Sequence, residues 1–194
     1  MEALEQKKGI EFEPKHFFDS FVYVTKEVLI RPGKFFYEMP KTGSIINPSI
    51  FILICSFFFA LFIANLKGGD FNLFLLYFFA NTMSVFVQSM VYHLVVSRLF
   101  GSKAPFEATF RIIAYINVLC LVSWIPVVIL SLAVNIYSLY LIYIGLQVVH
   151  KLKSKQAVIT VLSFFAVSLI IIIIAGLFLV AGGNLEESMK ILNP

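Results

Sequence analysis

From Ile112 to His150 the chain runs for 39 residues without an Asp, Glu, Lys or Arg, and both ends of that run are basic. The entry reads Arg98-Leu-Phe-Gly-Ser-Lys103-Ala-Pro105-Phe-Glu-Ala-Thr-Phe-Arg111, and the exit reads Lys151-Leu-Lys153-Ser-Lys155. A hydrocarbon layer is about 30 Å thick and a helix rises about 1.5 Å per residue, so one crossing takes about 20 residues. The run is too long for one crossing and suits two joined by a tight hairpin. Trp124-Ile-Pro126, near its middle, supplies an interfacial aromatic and a helix breaker. Both basic ends then lie on one side of the membrane, and the rest of the chain can be oriented from that side.

With 60% hydrophobic residues, 13% charged and 22 Phe, the composition excludes an ordinary soluble globular domain. The 194 residues make one membrane domain with a modest N-terminal extension. Cys55 and Cys120 both fall inside apolar runs, which argues against a disulfide framework or a thiolate metal site. The first apolar run begins near Pro48, after a polar leader, so no cleavable signal peptide is expected.

Residues 1–46 read as a cytoplasmic segment. Met1 to Glu13 is mostly charged and polar and is expected to lack fixed structure. Between Pro14 and Ile30 an amphipathic helix is predicted, with Phe17, Phe18, Phe21, Val22, Val24, Thr25, Val28 and Leu29 on its broad apolar face. Asp19, Ser20, Lys26 and Glu27 fall on the other. Such a helix lies along a membrane surface through Phe17, Phe18, Phe21 and Val28, or packs on the chain's own spans. Residues 47–183 read as five spans, at about 48–65, 71–97, 111–125, 130–149 and 157–179, and 184–194 form a short external tail. Asn47-Pro48-Ser49 opens the first span, Lys67-Gly68-Gly69-Asp70 separates the first two, and Ala181-Gly182-Gly183 ends the last. Pro105 with Glu107 marks a short surface turn before the third.

The basic residues test this arrangement. Thirteen of the fifteen fall on one side: Lys7, Lys8, Lys15, Lys26, Arg31, Lys34 and Lys41, then Arg98, Lys103 and Arg111, then Lys151, Lys153 and Lys155. Only Lys67 and Lys190 fall on the other. The positive-inside rule then predicts a cytoplasmic N-terminus and an external C-terminus.

The order of features also has a family look. Pro32 is followed by Phe35-Phe36, then a polar entry to the first span; Tyr92-His93 sit in the second span, followed by Gly101, Phe106 through Arg111, and Tyr115. A helix from Ile136-Tyr137 to Gly145 and a last span starting at Lys155-Gln-Ala157 complete it. Over roughly residues 30–180 this resembles the Yip-domain family, the Ypt/Rab-interacting membrane proteins, in its prokaryotic branch. The resemblance implies a five-span protein of the inner membrane. Eukaryotic members bind prenylated Rab GTPases and partner with one another. They carry an Asp-Leu-x-Gly-Pro element before the first span; this chain lacks it, the nearest text being Arg31-Pro32-Gly33, and GTPase binding is left open.

Polar residues inside the predicted spans are the candidate binding positions. Tyr77, Asn81, Ser84, Gln88 and Tyr92 recur at helical spacing, as do Tyr140, Tyr143, Gln147 and His150, and Tyr115 adds a hydroxyl on the third span. Polar groups in lipid must face protein or water, so both stripes are predicted to face the bundle interior. They either bond helix to helix, at about 0.6 kcal/mol each, or line a solute path. His93 and His150 are expected to meet near the cytoplasmic end with Tyr92 and Gln147. No Asp, Glu or Cys completes a metal site there. Ser131, Asn135, Ser138 and Gly145 make a small-residue face suited to helix packing.

No paired carboxylates, Ser-His-Asp set or phosphate-cradling glycine loop is present, so no catalytic residues and no cofactor are expected. No charged residue is predicted inside a span, which speaks against ion-coupled transport. The expected function is a membrane scaffold or adaptor, recruiting partners or shaping membrane; the alternative is a small-solute permease or channel. Expected partners are the lipid bilayer, proteins at the cytoplasmic face and a second copy of the chain, not nucleic acid.

Overall fold

Backbone groups in hydrocarbon find no water, so a chain this apolar must satisfy them within each segment, and helices do so. The computed structural model describes residues 9–170 and 173–174, and among these every regular element is helical. After a 3-10 turn at Pro14–His16 come α1 (Phe17–Ile30) and α2 (Pro32–Glu38). α3 (Ile46–Leu66) and α4 (Phe71–Arg98) pack on each other as a hairpin. Gly68 and Gly69 turn it with φ of +96° and +79°, and the Asp70 carboxylate caps α4 by accepting from the Asn72 N–H at 2.7 Å.

The third span comes in pieces: α5 (Phe106–Ile116), a 3-10 turn at Asn117–Leu119, and α6 (Cys120–Ser123). The Trp124–Pro126 break follows, then α7 (Val128–His150), so the uncharged run does fold as two helices. α8 (Ser154–Ile170) comes last. Among the described residues four helical stretches are long and apolar enough to cross a membrane: Ile46–Leu66, Phe71–Arg98, Phe106–Ser123 and Val128–His150. Of the predicted fifth span, α8 is the described part; most of the remainder, with the 184–194 tail, lies outside the described residues.

α5 occupies the middle, with every side chain from Ala108 to Ile116 buried. α3, α4 and α7 surround it and leave much of their own surface exposed, as helices facing lipid do. At the crossing of α5 and α7 a Cβ on Gly145 would stand 2.6 Å from Ile112 Cγ2, so the absence of a side chain sets how closely the two helices approach. α8 lies at the side: Ala157, Thr160 and Val161 are buried and Phe164 meets the Tyr92 ring at 5.6 Å, while Val158, Ile159 and Leu162 face outward.

Three expectations need correction. The third span starts at Phe106, with Pro105 in extended conformation as its N-cap, not at Arg111 after a surface turn. Arg111 therefore lies inside a spanning helix, only 1% exposed, against the expectation of spans free of charge. Second, residues 9–13 are not a loose tail: Phe12 is fully buried among Phe17, Phe21 and Phe51, with ring centroids 6.0, 6.4 and 5.6 Å away. Third, α1 packs on the chain's own spans, one of its two expected placements, but with Glu27 turned inward: Val24, Glu27 and Val28 are all buried. Val28 is thus taken up by the protein itself, and the Phe21 ring meets Phe51 at a tilt with centroids 4.9 Å apart, whereas Phe17 and Phe18 stay exposed. Glu27, expected on the solvent side, turns toward α2 and lies 4.0 Å from the Lys34 ammonium.

Candidate functional site

The polar side chains of the two stripes predicted to face the bundle interior are dispersed. α4 turns Thr82, Val85, Ser89, Tyr92 and Val96 inward, so Asn81 and Gln88 sit on the flank and Ser84 is exposed. α7 turns Leu141, Ile142, Gly145, Leu146, Val149 and His150 inward. Of its stripe only His150 enters the core. Tyr140 is 48% exposed and stacks on Tyr137, Tyr143 is half-buried against the apolar core, and Gln147 donates to Ser154 Oγ at 3.1 Å. The Tyr137 hydroxyl donates to the Leu29 carbonyl, tying α7 to α1.

Three polar clusters result. Near the middle of the bundle Asn81 donates through Nδ2 to Ser56 Oγ at 2.9 Å and to Asn117 Oδ1 at 3.3 Å, joining α4 to α3 and to the third span. Beside it a groove of about 180 Å³ runs between α4, α6 and α7, with Ser84, Gln88, Asn117, Asn135 and Ser138 among its walls.

The second cluster joins the two predicted histidines through residues that sequence reasoning missed. His93 Nδ1 is 3.3 Å from Thr109 Oγ1, and Thr109 Oγ1 is 3.0 Å from His150 Nε2. His150 Nδ1 in turn bonds Ser102 Oγ at 2.8 Å. One hydroxyl can donate to one imidazole while accepting from the other, so the tautomers of the two rings are linked. Tyr92 is buried nearby but belongs to no part of this chain, and its hydroxyl has no partner among the described residues. No group of three metal-ligating side chains occurs among the described residues.

The third cluster was not foreseen. Arg111 lies five residues into its helix, roughly 7–8 Å along the axis. Its Nε donates to Glu11 Oε1 at 3.0 Å and its Nη2 to the Ser44 carbonyl at 2.7 Å. Nη1 is buried with no partner among the described residues. One turn on, the Tyr115 hydroxyl accepts from the Phe12 N–H at 3.3 Å, and its ring meets Phe35 and Phe51 edge-on at 5.3 and 5.2 Å. Residues 9–12 thus form a strap that closes this end of the bundle over an aromatic plug. Pro105 was the available signal: reading it as the N-cap puts Arg111 inside the helix, where a charge needs a partner.

Apolar helices of spanning length around a buried central helix, capped at one end by charge and aromatics, define an integral membrane protein with several spans. The sequence matches the family described as Yip1 domain over residues 26–176, most of its length, and the chain belongs to that family. The family membership drawn from Pro32, Phe35-Phe36 and the features after them is borne out. Pro32, Phe35 and Phe36 are all buried, and Phe36 reaches the Gly145 crossing. No curated protein and no solved structure matches the chain.

Proposed function

We propose that the chain is a non-catalytic membrane scaffold or adaptor that recruits proteins, or shapes the bilayer, from its basic end. In this reading that end faces the cytoplasm of a prokaryotic cell with the protein in the inner membrane, N-terminus in and C-terminus out. Residues 1–46 are the cytoplasmic segment, 47–183 a five-span domain and 184–194 an external tail; a second copy is a further partner. One observation carries the reading: at the basic end Phe12, Phe35, Phe51 and Tyr115 pack into a fully buried aromatic cluster, and Arg111 with Glu11 ties the strap over them. A carrier needs a route through that end, whereas an adaptor needs a surface on it. The exposed apolar side chains Phe17, Phe18, Val22, Ile30 and Tyr37 supply such a surface. The test is removal of residues 1–40: identified protein partners should be lost while reconstituted liposomes show no solute flux. Orientation is checked by cysteine labelling from outside, reaching positions 69 and 124 and missing 103 and 153.

The groove beside Gln88 favours a second reading, a permease for a small neutral solute. Saturable uptake that disappears in Gln88→Leu, with folding intact, would replace the adaptor by the permease.

A further inference from the structure

The strap is seated as a peptide ligand is seated. Its backbone runs so close to α2 that a Cβ on Gly9 would stand 2.5 Å from the Glu38 carbonyl oxygen. Glu11 places its carboxylate on Arg111, and Phe12 buries its ring completely while its N–H donates to Tyr115. Side-chain charge, side-chain aromatic and main-chain hydrogen bond are all read over four residues.

Two observations indicate that the socket is more than a place to park this segment. Glu11 engages the arginine fork incompletely: its carboxylate, which also bonds the Tyr115 side chain, meets the guanidinium at Nε, and the buried Nη1 of a 1%-exposed arginine is left without a partner among the described residues. A carboxylate that engages Arg111 through both oxygens would satisfy donors that Glu11 does not. In addition, Arg111, Ser44, Tyr115 and Phe51 fall within the stretch that matches the Yip1 domain, residues 26–176, whereas the strap lies before it.

We infer that this socket is a peptide-binding site whose ligand is an extended segment of a partner protein with an acidic residue directly followed by an aromatic one, and that Gly9–Phe12 is the resident copy of that ligand. A partner segment displaces the strap by using the full arginine fork, and the released strap leaves the aromatic cage to the incoming ring. Glu11, held on Arg111 through Nε and on Tyr115, keeps the site closed until then. The inference rests on the adaptor reading for its use in the cell, while its chemistry stands apart from that reading. Partners retained with an inert socket remove this inference alone; solute flux with a peptide-binding socket removes the adaptor alone.

The probe is a fluorescent pentapeptide, Gly-Ile-Glu-Phe-Glu, followed by anisotropy against the full-length chain in nanodiscs of neutral phospholipid. The full-length double variant Glu11→Ala with Phe12→Ala, whose strap no longer competes, should bind it saturably and at least tenfold more tightly than the wild type. Probes carrying Gln for the first Glu, or Ala for the Phe, should bind at least tenfold more weakly. Inorganic phosphate and discs containing anionic phosphoinositide should not displace the parent probe. Absence of saturable binding to the folded variant overturns the inference. So does equal binding of the Phe-less probe, or displacement by phosphate, which would make the socket an anion site for lipid headgroups. Where the double variant does not fold, the probe is added before solubilisation; a higher Tm with the parent probe and not with the Phe-less one supports the site, and no rise rejects it.

Discussion

Glu11→Ala and Arg111→Met remove opposite halves of one ion pair, and burial makes their costs unequal. Arg111 is 1% exposed by side chain and Glu11 17%, so the two charges differ in what they can do when left alone. After Glu11→Ala the guanidinium stays inside the helix bundle with the Ser44 carbonyl as its one partner among the described residues. Breaking a buried pair by removing one partner costs about 3–5 kcal/mol, and the opening where the carboxylate stood admits some water, so about 3 kcal/mol is expected. After Arg111→Met the carboxylate can swing to solvent and methionine refills the volume; about 1–1.5 kcal/mol is lost, mainly the bond to Ser44. The double variant should sit near Arg111→Met, because no buried charge remains. The coupling free energy is then about 3 kcal/mol, the cost of Glu11→Ala itself. Reversible unfolding in bicelles, read by tryptophan fluorescence of Trp124, measures all four corners of the cycle. Equal costs for the two single variants, or simple additivity in the double, would refute the view that Arg111 is the buried partner and that Glu11 neutralises it.

Further expectations follow from the same packing. Gly145→Val forces a methyl into Ile112, since even a Cβ would be 2.6 Å away, and should cost about 1–3 kcal/mol; Ile112→Ala in the same chain should recover part of the loss in a thermal melt. Thr109→Val keeps the shape of a buried side chain but removes the hydroxyl between His93 and His150, for about 1–2 kcal/mol, while Thr109→Ser should stay closer to wild type in the same measurement. Val28→Asp places a carboxylate in a fully buried position and should cost about 3 kcal/mol or more, whereas Phe18→Asp, on an exposed site, should change detergent-state stability by no more than about 0.5 kcal/mol.

The helices could be read from the sequence because charge and proline mark their ends. Lys67 to Asp70, Arg98 to Pro105, Trp124 to Pro126 and Lys151 to Lys155 each interrupt an apolar run, and each lies at a break between helices. Which face of a helix points inward could not be read in the same way. In water the apolar face goes in, but in lipid an apolar side chain is equally at home on either side. α7 shows the consequence: Tyr140, Tyr143 and Gln147 do share a face with His150, yet the packed face is set by Gly145, where α5 approaches, and by Leu141 and Leu146. Polar spacing identified the stripe and could not orient it.

Arg111 and Glu11 show where local pattern ends. Pro105 followed by Glu107 is a helix start, and counting from it puts Arg111 more than a turn inside a segment that continues, through one 3-10 turn, to Ser123. An arginine at that depth requires an anionic or carbonyl partner, which is a statement about position 111 alone and available without any structure. The partner's identity is not. Glu11, Glu13, Glu27 and Glu38 all precede the first span, all are glutamates, and no spacing rule separates them across 100 residues. What selects Glu11 is its neighbour. Phe12 can bury a whole ring among Phe17, Phe21 and Phe51, and doing so carries the adjacent carboxylate to the guanidinium. Burying an aromatic side chain is worth about 2–3 kcal/mol, comparable to the penalty of leaving Arg111 unpaired, so apolar and ionic terms act together on one short strap. A stretch whose composition reads as a solvated tail is thereby fixed by two residues, and the pair acts only because α5 presents Arg111 and Tyr115 one turn apart on the side the strap crosses.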